Sequence, residues 1–302
     1  MQDTRYRFEA IGTTWTIDIF DAIAADSAEQ LMQAVHERIE RFDSTYSRFR
    51  EDSMVTSMAA EAGTYVLPDD ARPLMDMYQK LYEMTDGLVT PLIASTLAEA
   101  GYDAAYSLRP GRIIAPPTWE DVLVYDFPNL TLQQPALLDF GAAGKGYLAD
   151  IVGSILEEQG ISGYCIDAGG DMVYRTQNTE KLDVALEHPS DPTMAIGVAK
   201  IYNQSICGSS GNRRAWDKYH HIIDPASLES PRHIAALWTV ANTGLMADGI
   251  STALFFVSPD VLARHFEFEY AIVRSDLSLD VSSGFPATFF DNTATPPDRT
   301  QE

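Results

Sequence analysis

Positive charge is scarce in this 302-residue sequence, because 21 Lys and Arg residues stand against 44 Asp and Glu residues and leave a net charge of −23. The lysines in particular are few: Lys80, Lys145, Lys181, Lys200 and Lys218. A surface this acidic repels nucleic acid and anionic membranes, so neither is an expected partner. An anionic small molecule would need a pocket that supplies its own cation.

Long apolar runs and cysteines are also scarce. No run approaches the ~20 residues of a membrane helix, and the start, MQDTRYRFEAIGTTW, lacks the charged-then-apolar pattern of a secretory signal. We therefore expect a cytoplasmic protein with no membrane insertion, unless a leader was trimmed. Cys165 and Cys207 lie in apolar strand-like runs, which favours buried free thiols over a disulfide or a metal site.

The apolar spacing predicts strands mixed with segregated helices, which is typical of an α+β fold. Residues 5–20 alternate like a single strand interrupted near Gly12, and Asp26 or Ser27 is placed to cap the helix that follows. Further helices are predicted after Lys145 and over 70–85 and 244–257; later strands are predicted over 164–167, 182–187, 195–202, 204–207, 235–241, 269–274 and 278–282. We expect one domain over 1–291 and a polar, disordered tail over 292–302.

The most informative segment joins a strand to a helix through a glycine-rich turn. The strand ends at Asp139, the turn is Gly141-Ala-Ala-Gly-Lys145-Gly146, and apolar residues then recur with helical spacing. Bare backbone and free N–H groups at such a helix start favour anionic oxygens, and Lys145 adds a cation. The spacing matches neither the P-loop nor the dinucleotide fingerprint. The turn therefore indicates either a phosphate site or merely a tight connection.

A carboxylate and a hydroxyl lie four residues apart in the segment that follows Gly244. On a helix Asp248 and Thr252 share one face, where they present two hard oxygen ligands suited to Mg²⁺ or Ca²⁺. The alternative is that Asp248 lies in the first helical turn, favoured there by the helix dipole, while Thr252 bonds back to a carbonyl.

Two further segments carry chemistry-bearing side chains. His220 and His221 are adjacent, and because neighbouring side chains of a strand diverge, a paired metal chelate is not expected. One of them can face a cleft as a base, or both can simply flank the Asp224-Pro225 turn. Phe49 follows an arginine just after a helix and either stacks on a flat ring system or packs the helix end.

In their order along the chain, these segments resemble the ApbE-type FAD:protein FMN transferases. The resemblance runs from about Ile11 to Phe256. It rests on these matching pieces: Gly12-Thr-Thr-Trp15, Phe49 with Asp52-Ser53, Thr85-Asp-Gly87, Asp139 to Tyr147 with Asp150, Asp167-Ala-Gly-Gly170, His221-Ile-Ile-Asp-Pro225, and Ala247-Asp248 with Thr252.

The resemblance implies a T-fold-related architecture of mixed and antiparallel sheets with packed helices. It also implies roles for particular residues. Mg²⁺ would be held by the Ala142 carbonyl and the side chains of Asp248 and Thr252, with Ser251 as a further candidate. FAD contacts would fall on Ile11, Phe49, Leu88, Val89, Thr90, Asp139, Lys145 and Ile223. His221 is our candidate general base.

Two positions depart from the family pattern. Phe49 stands where a tyrosine is common, which keeps the stacking face and loses the hydroxyl. Gly87-Leu-Val-Thr-Pro91 replaces Gly-Ala-Phe-Asp-Pro, so Thr90 lacks the carboxylate that would accept from a nucleotide.

The resemblance implies Mg²⁺-dependent transfer of FMN from FAD to a Thr or Ser hydroxyl of a target flavoprotein, with release of AMP. One alternative is a Mg²⁺-dependent FAD pyrophosphatase that gives FMN and AMP. The other is a non-catalytic FAD-binding protein, which the departures at Phe49 and Thr90 would permit.

Overall fold

The computed structural model of the chain describes residues 4–212 and 214–290. The tail predicted to be disordered, 292–302, lies outside the described residues. No helix in the described part of the chain is long and apolar enough to cross a membrane.

The described strands, numbered along the chain, are β1 Thr4–Ala10, β2 Thr13–Ile19, β3 Gly63–Val66, β4 Leu123–Asp126, β5 Asn129–Leu132, β6 Tyr164–Ala168, β7 Asp171–Arg175, β8 Leu182–His188, β9 Asp191–Ile201, β10 Ser205–Ser210, β11 Ala215–Trp216, β12 Tyr219–His220, β13 Ile234–Ala241, β14 Glu269–Arg274, β15 Leu279–Val281 and β16 Ala287–Phe289. The helices are α1 Ala25–Tyr46, α2 Met54–Ala60, α3 Ala71–Met84, α4 Ala94–Glu99, α5 Trp119–Val122, α6 Gly144–Glu158, α7 Gly244–Ala253 and α8 Pro259–Leu262, with a 3₁₀ turn at Pro91–Ile93.

One large sheet organises the molecule. Its eight strands run in the order β1-β2-β6-β7-β10-β13-β14-β15, and every neighbouring pair is antiparallel. Smaller antiparallel sheets are formed by β16-β9-β8, by β3-β5-β4 and by β11-β12. The predicted α+β class, with antiparallel sheets and packed helices, is confirmed.

Different elements pack on the two faces of the large sheet. Because side chains alternate along a strand, neighbouring residues pack on opposite faces. Ile166 of β6 packs in the cluster formed with α1 and α6, whereas its neighbour Cys165 packs against β8 and β9 on the other face. Burial of a large apolar side chain such as Ile166 stabilises the fold by about 1.5–3 kcal/mol. Both cysteines, Cys165 and Cys207, are buried free thiols, as predicted.

The alternating stretch 5–20 is a hairpin, so the prediction of one interrupted strand was wrong. The chain reverses at Ile11 and Gly12, whose φ values are +42° and +74°, and β1 then pairs with β2 along its whole length. Alternation alone does not distinguish the two cases because both strands of a hairpin keep a period of two. A positive φ is rare for a β-branched residue, and Ile11 adopts it beside the cavity described below.

The first helix is not capped by Asp26 or Ser27, which corrects that prediction. The helix begins at Ala25, and the preceding Ala24 gives no side-chain cap. Asp26 lies instead in the first helical turn, where its negative charge interacts favourably with the positive end of the helix dipole.

Helices α6 and α7 touch backbone to backbone at their N-terminal ends. A Cβ placed on Gly146 would lie 2.1 Å from the carbonyl oxygen of Gly244, and one on Gly244 would lie 2.3 Å from the carbonyl oxygen of Gly146. No side chain larger than hydrogen fits between the two helices here, so these glycines bring the glycine-rich turn against the segment that holds Asp248.

We expect Gly146→Ala to lower the free energy of unfolding by about 3 kcal/mol or more, because the added methyl meets backbone that cannot move aside. Chemical denaturation monitored by circular dichroism measures the change. Gly111→Ala is the matched control, since its Cβ would meet only one atom at 3.5 Å. Equal stability of the two variants would contradict the contact.

Candidate functional site

A cavity of about 740 Å³ opens where the β1–β2 turn, the end of α1, the glycine-rich turn and the starts of α6 and α7 meet. Seven of the side chains predicted from the sequence line it: Ile11, Phe49, Asp139, Lys145, His221, Asp248 and Thr252. They come from segments more than 230 residues apart in the chain, and the fold brings them to one place.

The glycine-rich turn is fixed at both ends. Asp139 accepts the N–H of Gly141 through Oδ1 (2.7 Å) and pairs through Oδ2 with Nε of Arg48 (2.5 Å). Deeper in the turn, the N–H of Ala142 donates to the hydroxyl of Tyr78 (3.0 Å). Asp139 therefore shapes the turn and also places one face of its carboxylate at the cavity.

Lys145 lies between two buried carboxylates. Its Nζ is 3.0 Å from Asp171 Oδ2 and 3.6 Å from Asp248 Oδ2, and both of these side chains are 3% exposed. Burial opposes the lysine charge, but the attraction of Asp171 and Asp248 outweighs it and raises the pKa of Lys145. For Asp248, burial and repulsion from Asp171 raise the pKa above its ordinary value. The site thus concentrates negative charge that a cation must balance.

The two helix starts exchange carboxylate hydrogen bonds. Asp248 of α7 accepts the N–H of Gly146 in α6 (2.9 Å), while Asp150 of α6 accepts the N–H groups of Gly244 (2.7 Å) and Leu245 (2.8 Å) in α7. Each carboxylate satisfies N–H groups that have no partner within their own helix. Burial raises the pKa of Asp150 to about 6, against the effect of those two N–H donors.

Asp248 is therefore a buried group of the second helical turn, and the interpretation that placed it in the first turn was wrong. Thr252, one turn later, donates from Oγ1 to the carbonyl oxygen of Ala142 (3.2 Å) and not to its own helix. This contact brings the carbonyl of Ala142 to the face that Asp248 and Thr252 share.

These three oxygens have the chemistry of a site for a hard divalent cation. Among the described residues there is no group of three or more His, Cys, Asp or Glu side chains able to hold a metal. A metal here would draw on a carbonyl and a hydroxyl as well as carboxylate. Ser251 is fully buried and is not part of the cavity lining; its hydroxyl donates to the carbonyl of Asp248 (2.7 Å) and contacts Ser209 Oγ (2.8 Å).

Phe49 lines the cavity, and its ring already contacts two neighbouring side chains. The Arg48 guanidinium lies 4.2 Å from its ring centre, and the Tyr106 ring lies 5.3 Å away at an angle of 19°. Phe49 therefore does more than pack against the end of α1. A flat ligand ring in the cavity would lie beside a group of aromatic side chains that also includes Tyr102.

His220 is the last residue of β12 and His221 follows it, so the two are not neighbours on a strand as the prediction assumed; their ring centres lie 6.1 Å apart. The His220 ring is buried and contacts the carbonyl oxygen of Pro231 through Nε2 (2.9 Å), whereas His221 lines the cavity. Burial and then the positive charge of Arg214 lower the pKa of His221 to about 3. Its ring is therefore neutral near pH 7.

Four residues predicted to contact FAD lie outside the lining of the cavity. Val89 and Ile223 are buried, Thr90 caps the 3₁₀ turn by accepting the N–H of Leu92 (3.2 Å), and Leu88 lines a second cavity of about 550 Å³. The backbone carbonyl of Pro91 accepts the N–H of Asp139 (2.8 Å), so this segment supports the site from behind.

Five charged residues of the cavity were missed by the sequence reasoning: Asp43, Arg48, Arg50, Asp171 and Arg214. Asp171 follows the Gly169-Gly170 turn directly, and Arg48 precedes Phe49, so both had a local signal. Arg214 had none beyond its nearness to His221. The backbone N–H of His221 donates to the carbonyl of Arg214 (3.2 Å), which closes a short hairpin that points both side chains at the cavity.

One cavity thus gathers a glycine-rich helix start, paired carboxylates, hydroxyl oxygens and aromatic side chains. The chain belongs to the ApbE family, whose model matches residues 11–272.

Individual relatives agree with this placement. The chain is 25% identical over 279 residues to an FAD:protein FMN transferase of Klebsiella pneumoniae, an alignment that covers 83% of this chain and 78% of that protein. It is 22% identical over 273 residues to an FAD:protein FMN transferase of Salmonella typhimurium, which covers 82% of this chain and 76% of that protein.

Solved structures share the fold at lower identity. The ApbE protein of Thermotoga maritima has a TM-score of 0.82 at 19% identity and covers 93% of this chain and 97% of its own. The flavin transferase ApbE of Vibrio cholerae has a TM-score of 0.77 at 17% identity and covers 94% and 98%.

We expect Lys145→Met to destabilise the fold by about 3 kcal/mol, because it leaves Asp171 and Asp248 buried without their counter-charge. The double variant Lys145→Met/Asp171→Asn should regain a large part of that loss, since one of the two repelling carboxylates is gone. Denaturant unfolding measures both, with the exposed Lys181→Met as control. Additive losses in the double variant would contradict the charge balance.

Proposed function

We propose that this chain transfers FMN from FAD to a Thr or Ser hydroxyl of a target protein in a Mg²⁺-dependent reaction. The observation that carries the proposal is the single cavity in which the glycine-rich turn, Asp248, Thr252, His221 and Phe49 meet. Family membership and the names of the relatives support the transfer of FMN from FAD to a protein. The cytoplasmic location and the extent of the domain, 1–291, stay predictions.

In this reaction the acceptor hydroxyl oxygen bonds to the phosphorus of the FMN half. The bond between that phosphorus and the oxygen of the AMP phosphate breaks, and AMP leaves with the bonding electron pair. The proton of the hydroxyl passes to a base. The product is a phosphoester of FMN on the target protein.

His221 is our candidate for that base, because its ring lines the cavity and is neutral near pH 7. Nδ1 of His221 is buried with no hydrogen-bond partner among the described residues, so the ring has a free nitrogen. A base must also come within hydrogen-bond reach of the proton that it removes.

Asp248, Thr252 and the Ala142 carbonyl would hold Mg²⁺, and Ser251 remains a further candidate. When bound, Mg²⁺ neutralises charge on the FAD phosphates and makes the phosphorus easier to attack. Phe49 would take the flavin ring on the aromatic side of the cavity. Ile11 and Asp139 would line the remaining walls, and Leu88, Val89, Thr90 and Ile223 would act through packing or backbone.

The alternative with a specific observation in its favour is FAD pyrophosphatase activity, because the cavity is open and water can take the place of the hydroxyl. To decide, the purified protein is incubated with FAD and Mg²⁺, with and without candidate acceptor proteins. AMP release with flavin fluorescence on a denatured acceptor supports transfer, and free FMN alone supports hydrolysis. Binding of FAD with no AMP would contradict both reactions.

We expect Asp248→Asn to lower FMN transfer at limiting Mg²⁺ by at least about a hundredfold, because the amide keeps an acceptor for Gly146 but loses the charge that holds the ion. Thermal unfolding should change little. Asp248→Ala should lose both activity and stability, since the N–H of Gly146 is then left buried without a partner. The control is Asp260→Asn, which removes the charge of an exposed carboxylate. Full activity of Asp248→Asn would contradict the assignment of Asp248 as a Mg²⁺ ligand.

We expect kcat/KM to stay level between pH 7.5 and pH 6, because the lowered pKa of His221 keeps its ring unprotonated there. A histidine with an ordinary pKa of about 6.5 would lose most of its base form over that range. Asp150 has a pKa of about 6 and the pKa of Asp248 is also raised, so both compete over this range; the profile is measured at saturating Mg²⁺, and Asp150→Asn is measured in parallel. A midpoint near pH 6.5 in both proteins would contradict the buried, neutral base.

A further inference from the structure

Not every charged side chain that lines the cavity has a partner of opposite charge among the described residues. Four carboxylates line it, Asp43, Asp139, Asp171 and Asp248, together with four permanent cations, Arg48, Arg50, Lys145 and Arg214. Three of the cations are paired with these carboxylates: Arg48 with Asp139, Arg50 with Asp43, and Lys145 with Asp171 and Asp248.

Arg214 is different. Among the described residues it has no ion-pair partner, and its Nη1 donates only to the neutral hydroxyl of Tyr102 (3.1 Å). In a chain with 44 acidic and 21 basic residues, an arginine at the cavity that lacks a carboxylate partner among the described residues leaves its positive charge available to an anionic ligand. The planar guanidinium has further N–H donors and suits phosphate oxygens.

The position of Arg214 is held on two sides. The carbonyl of Arg214 accepts the backbone N–H of His221, which ties the residue to the candidate base. The hydroxyl of Tyr102 holds the guanidinium, and the Tyr102 ring in turn lies 4.8 Å from the guanidinium of Arg48. The side chain is therefore oriented before any ligand arrives.

We propose that Arg214 binds the pyrophosphate of FAD and takes up the negative charge that grows on the AMP phosphate as its bond to FMN breaks. The proposal rests on the proposed function, since FAD is the ligand that it assumes. In this proposal the main phosphate contact is Arg214 and not Lys145, because the ammonium of Lys145 is already held by Asp171 and Asp248. Tyr102 is the positioning residue for this contact.

The test compares ligands with and without the pyrophosphate. Arg214→Ala should weaken FAD binding by about tenfold to a hundredfold, the range of a charge-assisted hydrogen bond. Riboflavin has the same ring and no phosphate, so its affinity should change less than twofold. Arg214→Lys should recover part of the FAD affinity. Flavin fluorescence quenching measures each, and Arg264→Ala, an exposed arginine, controls for the loss of one positive charge.

The role of Tyr102 has its own readout. Tyr102→Phe should weaken FAD binding by a smaller factor, and the double variant with Arg214→Ala should bind FAD no worse than Arg214→Ala alone. Full additivity would overturn the positioning role.

The outcomes separate this inference from the proposed function. Unchanged FAD affinity in Arg214→Ala, or equal losses for FAD and riboflavin, would overturn the assignment while wild-type transfer stands. If Arg214→Ala weakens FAD binding much more than riboflavin binding but the wild type transfers no FMN, the transferase is overturned and the phosphate contact is kept. A wild type that binds no FAD would overturn both. Melting curves of each variant show that the fold is retained.

Discussion

The contact between the N-terminal ends of α6 and α7 is the constraint on which the rest of the site depends. Gly146 and Gly244 let the two backbones touch, and Asp248 and Asp150 then each satisfy N–H groups of the other helix. Because of this exchange, Asp248 is held at the glycine-rich turn although about a hundred residues separate it from that turn in the chain. The carbonyl of Ala142 and the hydroxyl of Thr252 meet at the same junction. A helix packing contact thus assembles the oxygen donors of the site.

The second organising influence is the balance of charge in a very acidic chain. Lys145 lies in the glycine-rich turn and offsets the two buried carboxylates nearest the junction. Arg48 and Arg50 are similarly held by Asp139 and Asp43. Arg214 remains as the cation available to an anionic ligand within the described lining, and its charge also helps to keep His221 neutral. The same arginine therefore favours a phosphate ligand and an unprotonated base.

Local patterns predicted the elements better than the contacts between them. Helical spacing located α3 and α6 and strand alternation located most of the large sheet, because these signals depend on neighbours in sequence. The turn at Ile11 was missed because alternation continues through a hairpin and because a positive φ is not expected of isoleucine. The burial of Asp248 was missed as well, since it depends on a glycine a hundred residues away. The segment Leu88–Thr90 departs from the family pattern in sequence, and in the structure Val89 and Thr90 are buried while Leu88 lines the second cavity, a placement set by tertiary packing that no spacing reveals.

The most direct test of this account is anomalous X-ray scattering from crystals grown with FAD and Mn²⁺ in place of Mg²⁺. The account predicts one Mn²⁺ peak bonded to the side chains of Asp248 and Thr252 and to the carbonyl of Ala142, with the pyrophosphate between that ion and Arg214. The flavin ring should lie against Phe49, and Asp171 should remain paired with Lys145. A Mn²⁺ peak away from the junction of α6 and α7, or FAD bound with its pyrophosphate out of reach of both the ion and Arg214, would contradict it.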